Sequence, residues 1–446
     1  MIQQSISELK NQIAGEVVLP DSPEYNDLRN GFSATGNPAV IVRPQSSKDV
    51  AAAIGYARNN QLKLSVRSGG HSQSGMSTND GGMVIDLGHF NTVEVIDPAQ
   101  NRVRIGTGAK WGDAAEVLAA QGLAISSGDT KSVGVGGLTL GGGIGWLVRK
   151  VGLTIDSLEA AEIVTADGRT LHVSAQENPD LFWAIRGGGG NFGVVTSFDF
   201  RAQPLKSVFA GMAIYDIAEA ESALTKWAEA MRHAPEELNS TAVLFSGFGP
   251  QAPAQLMILV CYGGDDEAAA NQAIQPLLEL GTLKQQTIQA KPYYQALEEA
   301  AFPPGIKAVA ENGFIKTLNK EVIAALAAHY GKPGTAIVQI RSLGGAVARI
   351  KPDATAFAHR DYEAFVMAAV LMPQDVPQEQ AKQKGAEAWR PLEPFVSGAY
   401  ANFLTDASEL SVTAAYPDST YARLAQVKAQ YDPDNLFNQN HNIKPQ

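Results

Sequence analysis

The sequence predicts an α+β protein of two domains, and two textures that meet near Pro204 predict it. Up to about Pro204, short apolar strands alternate with short helices joined by glycine clusters. From residue 206 to about 415, longer amphipathic helices interleave with strands and glycine clusters become sparse. The second pattern is that of a largely antiparallel sheet backed by helices. The predicted boundaries are 1–205, 206–415 and a terminal segment 416–446, which is a helix, a turn and the polar strip "NQNHN".

The elements follow in order. "AVIVRP" is a strand, and Ser47 is placed as N-cap of a helix through "KDVAAAIGYARNN", whose Val50, Ala53, Ile54 and Ala57 form one apolar face. "LKLSVR" and "MVIDLG" are strands, and "TVEVID" and "RVRIGTG" flank "PAQN" as a hairpin. The helix "WGDAAEVLAAQG" leads into the glycine-rich "SVGVGGLTLGGGIG". "EAAEIVTADGRTLHVS" is a hairpin turned at Asp167-Gly168, "NPDLFWAIRG" a short helix and "GVVTSFDFRA" a strand. In the second domain "EAESALTKWAEAMRH" and "DDEAAANQAIQPLLELG" are helices, while "AQLMILVCYG", "AIVQIRSLGG" and "DYEAFVMAAVLM" are strands.

Composition excludes several functions. With 446 residues, 45% of them hydrophobic, the chain is long enough for two cores. A net charge of −11 argues against coating nucleic acid or an anionic membrane. No apolar stretch reaches the length of a membrane span, and the first residues lack a secretory layout, so a cytoplasmic protein is expected. The one cysteine, Cys261, stands in "LMILVCYGG" as a small buried hydrophobe.

Glycine loops carry the functional signal. "GGGNFG" matches G-x-G-x-x-G at Gly188, Gly190 and Gly193, but a helix precedes it and a strand follows. That is the reverse of a dinucleotide fingerprint, so it is assigned as a packed turn. "RSGGH" leaves a strand, and its glycines let backbone amides approach an anion. "GVGGLTLGGGIG" repeats the device, and two such loops suit one extended phosphate-bearing ligand. His71 follows directly as a solvent-exposed loop histidine, a metal ligand or an attachment point. The seven histidines show no metal-ligand spacing, so no metal is expected.

"RPQSSKDVAAAIGYARNNQLKLSVRSGGHSQSGMSTNDGGMVIDL" and "SVGVGGLTLGGGIGWLVRKVGLTIDSLEAAEIVTADG" resemble the two halves of the FAD domain of the vanillyl-alcohol oxidase superfamily. "YARLAQVKAQYDPDNLFNQNHNI" is similar to the C-terminal segment of the berberine-bridge-enzyme group, in particular its short bacterial members related to 6-hydroxy-D-nicotine oxidase. The resemblance implies a two-subdomain PCMH-type FAD-binding domain, a substrate domain with an antiparallel sheet covered by helices, and a tail returning to the FAD domain. It implies that Arg67, Ser68, Gly69 and Gly70 cradle the FAD pyrophosphate and that His71 is bonded to the flavin 8α-methyl carbon. Many relatives add a cysteine bonded to flavin C6; here that position is Thr130, which leaves His71 as the sole tether. Val133 matches a gatekeeper whose small size is associated with oxygen access. Further FAD contacts are implied for Ser72, Gly75, Met76, Gly128, Gly134, Gly136, Gly137, Leu140, Gly141, Gly142, Gly143, Gly145, Ile163 and Val164, and for Asn440 and Asn442 in the tail.

On the substrate side, Gln339 and Arg341 share one strand face, and Tyr400 and Asn402 share another in "SGAYANFLTD". Tyr400 is the first choice for a base or proton-relay group, provided a neighbour such as Arg341 lowers its pKa. Arg341 is alternatively a carboxylate anchor or a support for negative charge on reduced flavin. His359 is expected to pack rather than catalyse. The implied activity is oxidation of a CH–OH or CH–NH group of a small molecule by hydride transfer to flavin N5, with O2 reduced to H2O2. A dehydrogenase with another acceptor, or a flavin-binding protein without turnover, are the alternatives. The expected protein is a monomer or homodimer.

Overall fold

The computed structural model describes residues 2–247, 253–299, 305–329 and 337–446. Its first sheet runs in the order Glu16–Val18, Val40–Arg43, Met83–Asp86, Leu64–Arg67. Met83–Asp86 pairs parallel with both neighbours, and all four of its residues are buried. A strand covered on both faces reads as a continuous apolar run rather than an alternation. The helix Ser47–Asn59 covers this sheet, with Val50, Ala53, Ile54 and Ala57 packed on Val40, Val42, Met83 and Ile85. Its cap is Ser46, not the expected Ser47: the Ser46 hydroxyl accepts from the Asp49 amide at 3.2 Å. The Ser47 hydroxyl instead donates to Glu162 at 2.5 Å.

The second sheet is antiparallel, in the order Val93–Asp97, Arg102–Gly106, Val194–Arg201, Leu158–Val164, Thr170–Ser174. The hairpin between its last two strands differs from the two-residue turn expected at Asp167-Gly168. The Gly168 amide donates to Thr165 O at 2.9 Å, the Thr165 amide donates to Arg169 O at 3.0 Å, and Gly168 has φ +85°. This is a three-residue loop closed by a left-handed glycine.

Among the described residues the third sheet has eight antiparallel strands, from Val208–Tyr215 to Ala364–Pro373 in chain order. Side-chain alternation gives it two different faces. On Ala364–Pro373, Ala364, Val366 and Ala368 join Leu224, Trp227, Ile274 and Val322 from the covering helices. Phe365, Met367 and Ala369 face the other way, against Ile144, Val148, Leu153 and Tyr400. The sheet therefore lies with one side on its own helices and the other on the glycine-rich segments.

Buried polar links fix that arrangement. Arg149 donates to the carbonyls of Leu238 and Leu343 at 2.9 and 2.5 Å. Arg360 makes two bonds, 2.7 and 2.9 Å, to Asp156, both side chains being almost wholly buried. At the tail, Lys428 on the helix Asp418–Tyr431 donates to Asp432, Asn191 O and Phe437 O at 2.6, 2.7 and 2.9 Å. A buried ammonium needs all three of its protons satisfied, and this one has them.

Candidate active site

A cavity of about 430 Å³ opens between the two glycine-rich segments and the third sheet. That lies within the range of ligand sites, about 300–1,000 Å³. One wall is the loop that leaves the strand Leu64–Arg67 and carries Ser68, Gly69, Gly70, His71, Ser72 and Met76. Gly70 has φ +76°, which lets the chain turn there. The loop is tied down from both sides: Ser68 Oγ donates to Thr107 O at 2.6 Å and accepts from the Gly136 amide at 3.2 Å.

The segment 134–145 is not the loop its glycines suggest. Val135–Gly141 is a helix. Glycine disfavours helix by about 1 kcal/mol per residue, and here close packing overrides propensity. A Cβ on Gly69 would stand 2.3 Å from Gly134 N, and one on Gly134 would stand 2.2 Å from Gly69 N. These two glycines permit backbone contact between the walls, and both border the cavity. Gly137 differs, because a Cβ there meets nothing within 4 Å and its backbone borders open cavity.

His71 lies at the cavity wall with its ring stacked on Phe32, centroids 4.7 Å apart and planes 19° apart. Burial pushes its pKa below the ordinary 6.5; Glu299 opposes the fall and Lys110 adds to it. The imidazole is therefore neutral at pH 7, with a nucleophilic nitrogen, and stacking restrains its orientation. Thr130 and Val133 line the same cavity. Cys261 does not: it is fully buried in the strand Gln255–Tyr262, its thiol pushed up to about 12.

The substrate-side residues converge as alternation requires. Val338 and Ile340 point to the covering helices, while Gln339 and Arg341 line the cavity. Arg341 is only 8% exposed, so it is not a solvent-facing strand residue. Its Nη1 lies 2.7 Å from Asp129 Oδ2 and its Nη2 donates to Gln339 Oε1 at 3.1 Å.

Tyr400 and Asn402 also line the cavity, but not from a strand. Tyr400 caps a short 3-10 turn, Ala401–Phe403, because its backbone amide is captured by Asn312 Oδ1 at 2.7 Å. Asn402 Nδ2 donates to Tyr400 OH at 2.8 Å and to Leu138 O at 3.1 Å. The Gly143 amide donates to the same hydroxyl at 2.8 Å. Arg341 does act in the direction that a Tyr400 base requires, but weakly. Burial raises its pKa above the ordinary tyrosine value, outweighing the bonds from Gly143 and Asn402 and the weaker effect of Arg341. With both lone pairs occupied, its remaining capacity is to donate.

Of the other expected contacts, Gly128, Leu140, Gly141 and Asn440 border the cavity. Arg67 does not, because its guanidinium is turned to Asp86 at 2.6 Å. Gly75 lies against Ala34, Gly142 against Phe357, Gly143 against Thr154 and Gly145 against Ser127 O, each without bordering the cavity. Ile163 and Val164 are buried in hydrophobic cores. Asn442 is off the cavity lining as well. His359 packs as expected, stacked 4.6 Å from Phe314 with Nε2 3.1 Å from Ala415 O.

Two parts of the site were missed. Gly189, Gly190, Asn191 and Gly193, from the rejected "GGGNFG" turn, line the cavity. A helix, Pro179–Ala184, does precede them and the strand Val194–Arg201 follows, so the rejected dinucleotide fingerprint stays rejected. The glycine count was the available signal. His441 is the other: it lines the cavity with Nε2 3.1 Å from Asp406 O, and burial lowers its pKa against the opposing influence of Asp406. A carbonyl only accepts, so the proton is on Nε2 and Nδ1 keeps its lone pair.

Residues 38–174 match the FAD binding domain family, and residues 399–444 match the berberine and berberine like family. An FAD-linked oxidoreductase of Dictyostelium discoideum is 33% identical over 453 residues, covering 99% of this chain and 97% of that protein. (R)-6-hydroxynicotine oxidase of Paenarthrobacter nicotinovorans is 32% identical over 459 residues, covering 97% of each. The crystal structure of 6-hydroxy-D-nicotine oxidase from Arthrobacter nicotinovorans is similar with TM-score 0.87 at 31% identity, covering 97% of this chain and 98% of that one.

Proposed function

The chain belongs to the berberine-bridge-like family of FAD-linked oxidoreductases, and from that premise we propose that it is an oxidase whose flavin is bonded to His71 alone. The residues present fit FAD. Asn440 Oδ1, at the cavity, is buried without a protein partner, and the backbones of Gly137 and Gly190 border open space there. Ser68 to Ser72, the helix Val135–Gly141 and Asn440 of the tail would hold the cofactor. When bound, FAD supplies a hydride acceptor at N5 for a CH–OH or CH–NH group and passes the electrons to O2, giving H2O2.

The chain's own residues contribute position and protons. The observation that carries the reading is His71: a neutral imidazole at the cavity wall, stacked on Phe32, with Thr130 rather than a thiol among its neighbours in the lining. Tyr400 offers a hydrogen-bond donor, Asn402 holds it, and Arg341 and Gln339 face the substrate from the sheet. The division at 1–205, 206–415 and 416–446 belongs to the same reading, supported by the third sheet beginning at Val208–Tyr215 and by Lys428 reaching back to Asn191. No described helix is long and apolar enough to cross a membrane. The cytoplasmic monomer or homodimer expected from the sequence is part of the same proposal.

The test is direct. Acid-precipitated protein run on a denaturing gel should fluoresce, and an anaerobic panel of alcohols and amines should bleach the flavin, with peroxide appearing on admission of air. Flavin released by acid overturns the tether, and slow reoxidation in air favours a dehydrogenase with another acceptor.

A further inference from the structure

The described residues lining the cavity include one carboxylate, Asp129, and one guanidinium, Arg341, and no lysine. The carboxylate and the guanidinium are paired with each other at 2.7 Å. The aspartate comes from the segment before the helix Val135–Gly141 and the arginine from the strand Ile337–Ser342. The guanidinium is placed on three sides. Nη1 meets Asp129, Nη2 meets Gln339 Oε1, and its carbon lies 5.2 Å over the Phe403 ring. Nε is left: it is buried and has no hydrogen-bond partner in the protein. Met367, opposite Gln339 in the sheet register, continues the apolar wall.

Resting on the view of this cavity as a flavin oxidase site, we propose that the substrate is bound as an uncharged molecule, and that Asp129 sets this selectivity. The polar edge formed by Arg341 and Gln339 takes a carbonyl, hydroxyl or ether oxygen, and Phe403 and Met367 pack against the apolar body beside it. An unpaired guanidinium in a half-enclosed pocket would select a carboxylate. With Asp129 beside it the pair is neutral, so an entering carboxylate loses its water and meets the aspartate charge with no net cation to repay it. An entering ammonium meets the opposite problem at Arg341. Selectivity thus comes from the repulsive partner as much as from the attractive one.

The test uses the holoprotein and three aromatic probes of one shape: benzamide, benzoate and benzamidine. Calorimetric titration gives each Kd whether or not the flavin turns over. The wild type should bind benzamide at least about tenfold more tightly than either ion, a difference of about 1.4 kcal/mol. Asp129→Asn should shift the ratio at least about tenfold towards benzoate, by leaving Arg341 uncompensated. Arg341→Gln should shift it towards benzamidine, and it serves as the second arm should Asp129→Asn fold poorly. Wild type binding benzoate as tightly as benzamide, binding none of the three, or ratios unmoved in the folded variants would each overturn the proposal. Failure of the oxidase assay with these ratios intact overturns the catalytic reading and leaves this one standing.

Discussion

Gly141 and Asn402 are in such close contact that a Cβ on the glycine would stand 2.1 Å from the asparagine Oδ1. The contact joins the glycine-rich helix to the short turn that carries Tyr400. Gly141→Ala should therefore displace Asn402 and with it both of its bonds, to Tyr400 OH and Leu138 O. Overpacking of this kind costs about 1–3 kcal/mol. Thermal unfolding should show the loss. An unchanged melting temperature would mean that the turn yields without cost.

His71→Ala should give a protein that releases its flavin on acid precipitation and shows no fluorescent band on a denaturing gel. Phe32→Ala should retain the bond but slow its formation, because it removes the ring that restrains the imidazole 4.7 Å away. Following covalent flavin against time after adding FAD to apoprotein checks both. Equal rates in Phe32→Ala and wild type would show that stacking does not orient the ring.

Much of this was legible in the sequence, and the failures have physical causes. Gln339 and Arg341 were found because strand alternation is local and the flanking Val338 and Ile340 are apolar. Tyr400 and Asn402 were brought to the site but given the wrong backbone, because Asn312, 88 residues away, captures the Tyr400 amide. The helix Val135–Gly141 was hidden by composition, since its glycines serve contacts with Ser68, Gly69 and Thr107 that no local pattern records. The "GGGNFG" turn was judged by its neighbours in sequence; its neighbours in space, the tail and the cavity, come from the other end of the chain. Arg67, placed at the pyrophosphate by resemblance, has its guanidinium paired with Asp86 on the adjacent strand.

Lys428 and Asp432 are both fully buried and 2.6 Å apart. Lys428→Met would leave the Asp432 carboxylate without its partner, and breaking a buried pair from one side costs about 3–5 kcal/mol. The lysine also holds Asn191 O and Phe437 O, so the tail should loosen before the rest unfolds. Limited proteolysis should cut the variant after the helix Asp418–Tyr431 at a protease level the wild type survives. Resistance equal to wild type would show that the tail is held by other contacts.

Acid stability should carry two opposing contributions. Burial raises the Glu311 pKa to about 7, with Asp406 and Glu393 adding to the rise. Its folded form holds a proton that the unfolded form has lost, so its contribution is full below the ordinary 4.5 and fades as pH rises through about 7. His359 and His441 have lowered pKa values, each mainly from burial. Their contribution is full above the ordinary 6.5 and declines as pH falls below it, when the unfolded chain takes up protons first. Glu311→Gln should therefore raise stability above pH 7, by about 1–2 kcal/mol after allowing for its partial exposure. It should leave the decline below pH 6 in place. Denaturant melts at pH 5, 6, 7 and 8 check both signs.

His441 gives the last prediction. Asp406 O fixes its proton on Nε2, and burial keeps the ring neutral, so Nδ1 is a basic nitrogen at the cavity wall. If His71 is committed to the flavin, no other imidazole lines the cavity among the described residues, and Tyr400 is held protonated by burial. His441 is then placed to accept the substrate heteroatom proton. General bases contribute about 10²–10⁴-fold to rate, so His441→Gln should lower kcat/KM by about that factor while the flavin stays bound. The bond to Asp406 O can be kept by the glutamine amide, which separates loss of the base from loss of the contact. The pH profile of kcat/KM should also lose its limb below pH 6.5, where the wild-type imidazole becomes protonated. A variant with the same limb and a near-normal rate would remove His441 from the proton path and leave it as an anchor for the tail.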